Sequence, residues 1–192
     1  MSRLDLVVGP NGAGKSTFVR FTLAPMRPGV PFVNADVIAA ERWPDDQQAH
    51  AYEAAAMASR IRETLIARGQ PFIAETVFSH PSKLDLIERA DAAGYDIRLH
   101  VVMVPPDLSV ARVAHRVRAG GHDVPEDKIR QRHDRLWGLV AQAAHRVPIA
   151  SFYANHRTGP DLVAVFHHGR PASATEWPTW THPDLISGLA QN

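Results

Sequence analysis

The most informative motif of the sequence is a glycine-rich stretch that begins at Gly9 and ends at Ser16. It matches the pattern G-x-x-x-x-G-K-[ST], in which backbone N–H groups surround phosphate oxygens and the following helix adds the positive end of its dipole. In such loops the lysine contacts the β- and γ-phosphates and the hydroxyl contacts Mg²⁺, which here are Lys15 and Ser16. The predicted nucleotide-binding residues are Gly9, Pro10, Asn11, Gly12, Ala13, Gly14, Lys15, Ser16 and Thr17.

Two carboxylates follow predicted strands. Asp36 comes after a strand that ends near Asn34, and Glu75 comes after the next strand. A kinase that acts on an alcohol needs a carboxylate to take the hydroxyl proton and help to place Mg²⁺. Asp36 is either that base or the cap of a helix, and Glu75 is either part of the site or a solvated loop residue. The candidate substrate-contacting residues are Asn34, Asp36, Glu75, Thr76 and Ser79.

Arginines are concentrated in one segment. Three of the 21 basic residues are lysines, which leaves 18 arginines, and six of these lie between residues 112 and 135 around Gly120-Gly121. A glycine-hinged helical pair could close over a nucleotide, and an arginine on the transferred phosphoryl group is worth about 10³-fold or more in rate. The alternative is a solvated helix face that nearby carboxylates neutralise. These arginines are Arg112, Arg116, Arg118, Arg130, Arg132 and Arg135.

Composition excludes several classes of protein. The absence of cysteine excludes disulfide frameworks, zinc–thiolate sites and cysteine nucleophiles. No H-E-x-x-H, G-x-S-x-G or Asn-Lys-x-Asp motif occurs, so a histidine metal site, a serine hydrolase and a typical GTPase lack support. The net charge of +1 argues against nucleic-acid coating, and no apolar run reaches the roughly 18 residues of a membrane span. We expect a cytoplasmic protein of one domain, residues 1–192.

The predicted elements alternate between strands and helices. Such alternation indicates βαβ units, and we expect an α/β fold: a P-loop NTPase three-layer sandwich with a central parallel sheet of about five strands. A helical, arginine-rich lid at 112–135 and a tail at 170–192 complete the prediction. Predicted strands are 4–8, 32–34, 72–74, 97–104 and 162–166, and predicted helices are 15–23, 45 or 46 to 68, 81–93, 108–119 and 126–146.

Taken together, these motifs resemble the zeta-toxin family of P-loop kinases over roughly residues 4–145. The stretch from Arg118 to Pro125 resembles the Arg-x-x-Gly-Gly-His-x-Val-Pro signature of the compact branch of that family. The resemblance implies transfer of a phosphoryl group from ATP or GTP to the sugar 3′-hydroxyl of UDP-N-acetylglucosamine. It also implies an antitoxin protein that blocks the nucleotide site.

The resemblance further implies a role for each matching residue. Asp36 would be the base, Lys15 and Ser16 would hold the triphosphate and Mg²⁺, and Glu75 would hold substrate or support the site. The paired transition-state arginines would be Arg116 or Arg118 together with Arg130 or Arg132.

The residues themselves leave three alternatives open. The same chemistry could act on another acceptor, such as a nucleoside, an antibiotic or another cofactor. The chain could also be a nucleotide-binding switch or slow ATPase whose lid contacts a partner protein. A module that binds RNA or DNA through its arginines is the third alternative, and strong salt dependence would mark it.

Overall fold

The computed structural model describes residues 1–119, 121 and 124–190 and places seven strands in one sheet. The strand order across the sheet is β2-β3-β1-β4-β5-β6-β7, in which the first five strands are parallel and the last two antiparallel. The strands are β1 Arg3–Val8, β2 Phe32–Val33, β3 Phe72–Thr76, β4 Asp96–Met103, β5 Ile149–Ala154, β6 Asp161–His167 and β7 Arg170–Pro171.

Five parallel strands are confirmed, but the identity of the fifth was predicted incorrectly. The predicted strand at 162–166 exists as part of β6, and it runs antiparallel to β5. The fifth parallel strand is Ile149–Ala154, which lies directly after a long helix. Its buried positions are two alanines and one phenylalanine, so the segment carries too few large apolar residues to stand out as a strand in the sequence.

Helices lie on both sides of the sheet. A π-helical turn, Val19–Leu23, connects α1 and α2, and a 3₁₀ turn, Pro81–Lys83, leads into α5. Among the described residues, no helix has the length and apolar character that a membrane crossing requires. The helices are α1 Lys15–Phe18, α2 Ala24–Met26, α3 Ala35–Arg42, α4 Ala51–Ala67, α5 Leu84–Ala92, α6 Pro106–Arg118, α7 Glu126–Arg146 and α8 Pro183–Leu189.

Strand β1 shows why the domain has three layers. Successive strand residues point to opposite faces. Leu4, Leu6 and Val8 enter the larger core, which the helices α4, α5, α7 and α8 cover. Val7 enters a second core with Phe18 and residues of the π-helical turn on the other face. A strand that is buried on both faces is typical of a parallel sheet with helices on each side.

Two helices differ from the sequence prediction. The segment predicted as one helix from residue 45 or 46 begins only at Ala51, and the separate helix α3 precedes it. The tail contains α8, whose Leu185 is fully buried in the main core. Trp177 of the tail packs edge-on against Phe152 at 5.3 Å between ring centroids, as expected for a tail that packs onto the domain.

A buried ion cluster stabilises the sheet on the α1 side. The Asp5 side chain is completely buried, lies 3.0 Å from His100 Nε2 and 3.6 Å from Arg27 Nη1, and also binds Arg3. Burial alone would raise the pKa of Asp5, but the hydrogen bonds from His100 and Arg3 lower it below 3.8. Asp5 is therefore charged in the folded protein at neutral pH.

We expect Asp5→Asn to reduce the free energy of unfolding by about 3 kcal/mol, because it removes the charge of a fully buried carboxylate that His100 and the partly buried Arg3 and Arg27 contact. The matched control is Asp96→Asn, which disrupts a partly exposed pair with Arg98 at 2.9 Å and should cost less than about 1 kcal/mol. Urea unfolding of both variants measures the difference. Because folding lowers the pKa of Asp5, its carboxylate adds to the free energy of unfolding at pH values above 3.8. This stabilisation is lost as the pH falls through the lowered pKa. Equal effects of the two variants at neutral pH would contradict this assignment.

Candidate active site

The glycine-rich loop follows β1 and turns tightly before α1. Gly12 and Gly14 have φ values of 70° and 86°, which favour glycine. A Cβ on Gly12 would lie 2.7 Å from the Ser109 carbonyl oxygen, and a Cβ on Gly14 would lie 2.6 Å from Asn155 Nδ2. Both glycines are therefore required by backbone conformation and by close packing.

Two side chains from other elements bind this loop directly, and Arg112 supports one of them. The Asn155 side chain, just after β5, donates to the Ala13 carbonyl at 2.7 Å. Arg112 of α6 donates to the Asn155 carbonyl at 2.8 Å, and the Ser109 hydroxyl donates to the Asn11 carbonyl. Ser109 and Asn155 were not among the residues predicted from the sequence, because their contacts span 98 and 142 residues of the chain and follow no local pattern.

Lys15 lies buried in the loop. Its Nζ donates to the Pro10 carbonyl at 2.9 Å and lies 3.9 Å from Glu75 Oε1, with both side chains less than one-tenth exposed. Burial lowers the pKa of Lys15 below 10.5, and Arg116 adds to this effect, whereas Glu75 and Asp36 oppose it. A negatively charged ligand beside Lys15 would oppose this lowering of its pKa.

Glu75 connects the loop with the end of β2. Its Oε2 accepts a hydrogen bond from the Ser16 hydroxyl at 2.8 Å and another from Asn34 Nδ2 at 2.7 Å. A hydroxyl and a carboxylate side by side are the hard oxygen donors that Mg²⁺ prefers. The described residues contain no group of three or more His, Asp or Glu side chains that could hold a metal alone, so substrate oxygens would have to complete the coordination.

Asn34, rather than Asp36, caps helix α3. The Asn34 Oδ1 accepts from the backbone N–H groups of Asp36 at 2.7 Å and Val37 at 3.4 Å. The carboxylate of Asp36 is exposed at the edge of the cavity and forms no hydrogen bond with the described residues. The capping alternative for Asp36 therefore does not hold, and its carboxylate is available to a ligand.

These side chains line one cavity of about 570 Å³, within the size range of small-molecule sites. It brings together Lys15, Ser16, Thr17, Asn34, Asp36, Glu75, Thr76 and Ser79. The face of α4 that closes it carries Ala51, Ala55 and Ala58, three small side chains that leave room for a ligand. The cavity thus contains every carboxylate that the sequence analysis selected.

The lid arginines divide into two groups. Arg112, Arg116 and Arg132 line the cavity, whereas Arg118, Arg130 and Arg135 do not. Arg130 instead binds Asp107 and Glu126, each at 2.9 Å. The Gly121 N–H bonds to the Arg116 carbonyl at 2.9 Å at the end of α6. Gly120, His122 and Asp123 of the predicted hinge lie outside the described residues.

The loop after β3 contains a strained residue beside the cavity. Phe78 is fully buried with a φ of 64°, a conformation that costs energy for a bulky side chain. The neighbouring residues Thr76 and Ser79 both line the cavity. The buried aromatic ring thus anchors the short segment that presents their hydroxyls.

Nucleotide binding is expected to take up a proton at alkaline pH. A triphosphate beside Lys15 would raise its lowered pKa, so affinity should fall as the pH rises through the lowered value toward 10.5. Calorimetric titration with ATP in two buffers of different ionisation enthalpy measures the proton count. Lys15→Arg, which cannot titrate in this range, is the control and should show no uptake. Identical heats in both buffers for the wild-type protein would contradict the placement of Lys15 on the phosphates.

Comparison with known proteins identifies the family of this chain and solved structures with a similar fold. A family model described as an AAA domain matches residues 4–139. No curated protein sequence matches the chain significantly.

Three solved structures illustrate the fold. A chain of the AvrRxo1-ORF1:ORF2 complex with ATP aligns at 16% identity and a TM-score of 0.70, over 92% of this chain and 61% of that one. A chain from the PezAT toxin–antitoxin system of Streptococcus pneumoniae aligns at 14% identity and a TM-score of 0.67. That alignment covers 100% of this chain and 88% of the PezAT chain. A chain of the Pnkp1/Rnl/Hen1 RNA repair complex aligns at 22% identity and a TM-score of 0.60, over 73% of this chain and 46% of that one. This chain thus spans about three fifths of the AvrRxo1 chain. These similarities confirm the P-loop kinase fold that the zeta-toxin resemblance implied.

Proposed function

This chain belongs to the AAA domain family, and we propose that it is a phosphotransferase that moves the γ-phosphoryl group of ATP or GTP to a hydroxyl of a small molecule. The observation that carries the proposal is the cavity that Lys15, Asp36 and Glu75 share with arginines of the lid. A switch protein needs the loop and a magnesium site, but it has no need for a second carboxylate at the edge of the cavity.

The proposed reaction uses Asp36 as the base. The acceptor O–H bond breaks as its proton passes to the Asp36 carboxylate, and the acceptor oxygen forms a bond to the γ-phosphorus. The bond between that phosphorus and the bridging oxygen breaks, which releases ADP or GDP. Thr76 and Ser79 line the same cavity from the neighbouring strand end, that of β3, and we assign them to hydrogen bonds with the acceptor.

Cationic groups balance the charge of the transferred group. Lys15, Arg116 and Arg132 line the same cavity from the loop, α6 and α7. Developing negative charge on the equatorial oxygens is stabilised by such preorganised cations. Arg118 and Arg130, the other predicted partners, do not line the cavity and take no part in the proposed reaction.

Ser16 and Glu75 are the residues that would hold Mg²⁺. The metal would neutralise charge between the β- and γ-phosphates. Asn34 donates to Glu75 with its amide nitrogen and caps α3 with its amide oxygen, so we assign it to positioning the site rather than to substrate binding.

The proposed acceptor is UDP-N-acetylglucosamine, on the strength of the zeta-toxin resemblance. We also propose an antitoxin-like partner protein, because one structural relative comes from the PezAT toxin–antitoxin system. Such a partner would contact the open side of the cavity and block the nucleotide.

The test is mass spectrometry of a reaction that contains the protein, ATP, Mg²⁺ and UDP-N-acetylglucosamine. We expect the sugar nucleotide to gain one phosphoryl group. ADP with an unmodified sugar nucleotide would overturn this acceptor and direct the search to other alcohols. No consumption of ATP with any acceptor would overturn the phosphotransferase proposal.

A further inference from the structure

Two cationic side chains of the cavity lie away from the phosphate loop. Arg62 extends from α4, one helical turn beyond Ala58, and Lys83 ends the 3₁₀ turn before α5. Both side chains also line a smaller side pocket of about 240 Å³, which shares Glu75 and Thr76 with the main cavity. No residue of the glycine-rich loop lines this side pocket, so a triphosphate on that loop would leave it open.

Neither cation has a partner in the described part of the chain. No described carboxylate lies within ion-pair distance of Arg62 or Lys83, and neither side chain forms a hydrogen bond there. The carboxylates of the side pocket are Glu63, Glu75 and Asp85. Glu63 lies 3.9 Å from Arg89, and Glu75 binds Ser16 and Asn34. Asp85 lines the same pocket but is not among the charges that shift the pKa of Arg62 or Lys83.

The positive charges of Arg62 and Lys83 are each made less favourable by burial and by another cation nearby. Both are partly buried, and burial is the main cause that lowers the pKa of each. The Arg62 charge lowers the pKa of Lys83 further, and Arg89 does the same to Arg62, although Glu63 opposes that effect. Two neighbouring, half-buried cations without a carboxylate partner are unfavourable unless an anion joins them.

The charge of the whole cavity supports the same conclusion. Among the described residues, five cationic side chains besides Arg116 and two carboxylates line it, an excess of three positive charges even without Arg116. A triphosphate bridged by Mg²⁺ is a net dianion and would leave part of that excess unmatched. The lining therefore suits a second anionic group besides the nucleotide.

We propose that Arg62 and Lys83 form a subsite, separate from the glycine-rich loop, that binds the anionic group of the acceptor. The arginine can bind two oxygens with its planar fork, and the lysine adds a point charge. The subsite would hold the anionic end of the acceptor while its hydroxyl reaches Asp36. The inference rests on the proposed function for the identity of the ligand as acceptor, but not for anion binding itself.

The test begins with binding, which needs no catalysis. Protein saturated with Mg²⁺ and a non-hydrolysable ATP analogue is titrated with inorganic pyrophosphate by calorimetry. We expect one site in the wild-type protein and affinities about 10- to 100-fold weaker in Arg62→Gln and Lys83→Gln, the size expected for a lost hydrogen bond to a charged group. Arg60→Gln, on the same helix but outside both cavities, should bind as the wild type does.

Two further controls keep the outcomes separate. Arg62→Lys should restore part of the affinity, and equal melting temperatures would show that the variants fold. Pyrophosphate binding that Arg62→Gln and Lys83→Gln leave unchanged, or no binding to the nucleotide-loaded protein, would overturn the subsite. With an active acceptor, the variants should raise KM for the acceptor about 10- to 100-fold and leave KM for ATP unchanged. Intact pyrophosphate binding without any phosphoryl transfer would refute the proposed function and retain the anion site.

Discussion

Asp36→Asn is expected to lower kcat about 10²- to 10⁴-fold, the range for loss of a general base, while nucleotide affinity stays near that of the wild type. The asparagine keeps the size of the side chain and leaves the Asn34 cap in place, because that cap uses the backbone N–H of residue 36. The substitution removes the negative charge of the carboxylate and with it the capacity to accept a proton. Initial rates of ADP formation with saturating acceptor, together with calorimetric nucleotide binding, measure both quantities.

Glu41→Gln is the matched control for this variant. It removes a carboxylate from the same helix, at an exposed position that does not line the cavity. Its kinetics should equal those of the wild type. Wild-type turnover in Asp36→Asn would rule out Asp36 as the base and favour a nucleotide switch or a slow ATPase.

The second large effect concerns the lid. Arg132→Ala, and separately Arg116→Ala, should reduce kcat about 10³-fold or more if each arginine stabilises charge on the transferred phosphoryl group. Both side chains line the cavity, although they come from different helices. Single-turnover rates with saturating ATP isolate this step from product release.

Two neighbouring arginines serve as controls. Arg118→Ala and Arg130→Ala remove the same charge from the same two helices but from outside the cavity lining. Since Arg130 forms exposed ion pairs with Asp107 and Glu126, which solvent screens, its loss should change stability little and leave kcat intact. A larger kinetic effect of Arg118 or Arg130 than of Arg116 or Arg132 would show that the lid acts in a different arrangement.

The sequence predicted the phosphate loop and the strand ends well, because their signals are local. The glycines of the loop, the carboxylate at each strand end and the apolar strand runs lie within a few residues of one another. Parallel strands then bring Asp36 and Glu75 to one edge of the sheet, as expected.

What the sequence could not provide depends on contacts between distant segments. The assignment of a helix cap to Asn34 rather than Asp36 requires backbone geometry, since both residue types favour caps. Asn155 binds the loop at Ala13, which lies 142 residues earlier in the chain. Only the orientation of α6 and α7 shows which lid arginines line the cavity, because all six lie in one segment, residues 112–135, and their positions in the sequence do not separate them. Arg62 is one of several arginines on a helix, and only the shared cavity distinguishes it from Arg60.

The most direct test of phosphoryl transfer uses ATP labelled with heavy oxygen in its γ-phosphoryl group. The label is followed by phosphorus NMR after incubation with the protein, Mg²⁺, and either UDP-N-acetylglucosamine or a mixture of small phosphorylated alcohols. Transfer by this site predicts labelled phosphate in an organic ester, and loss of that signal in Asp36→Asn. Label that appears only in inorganic phosphate, at equal rates in the wild type and in Asp36→Asn, would contradict a kinase and identify a nucleotide hydrolase.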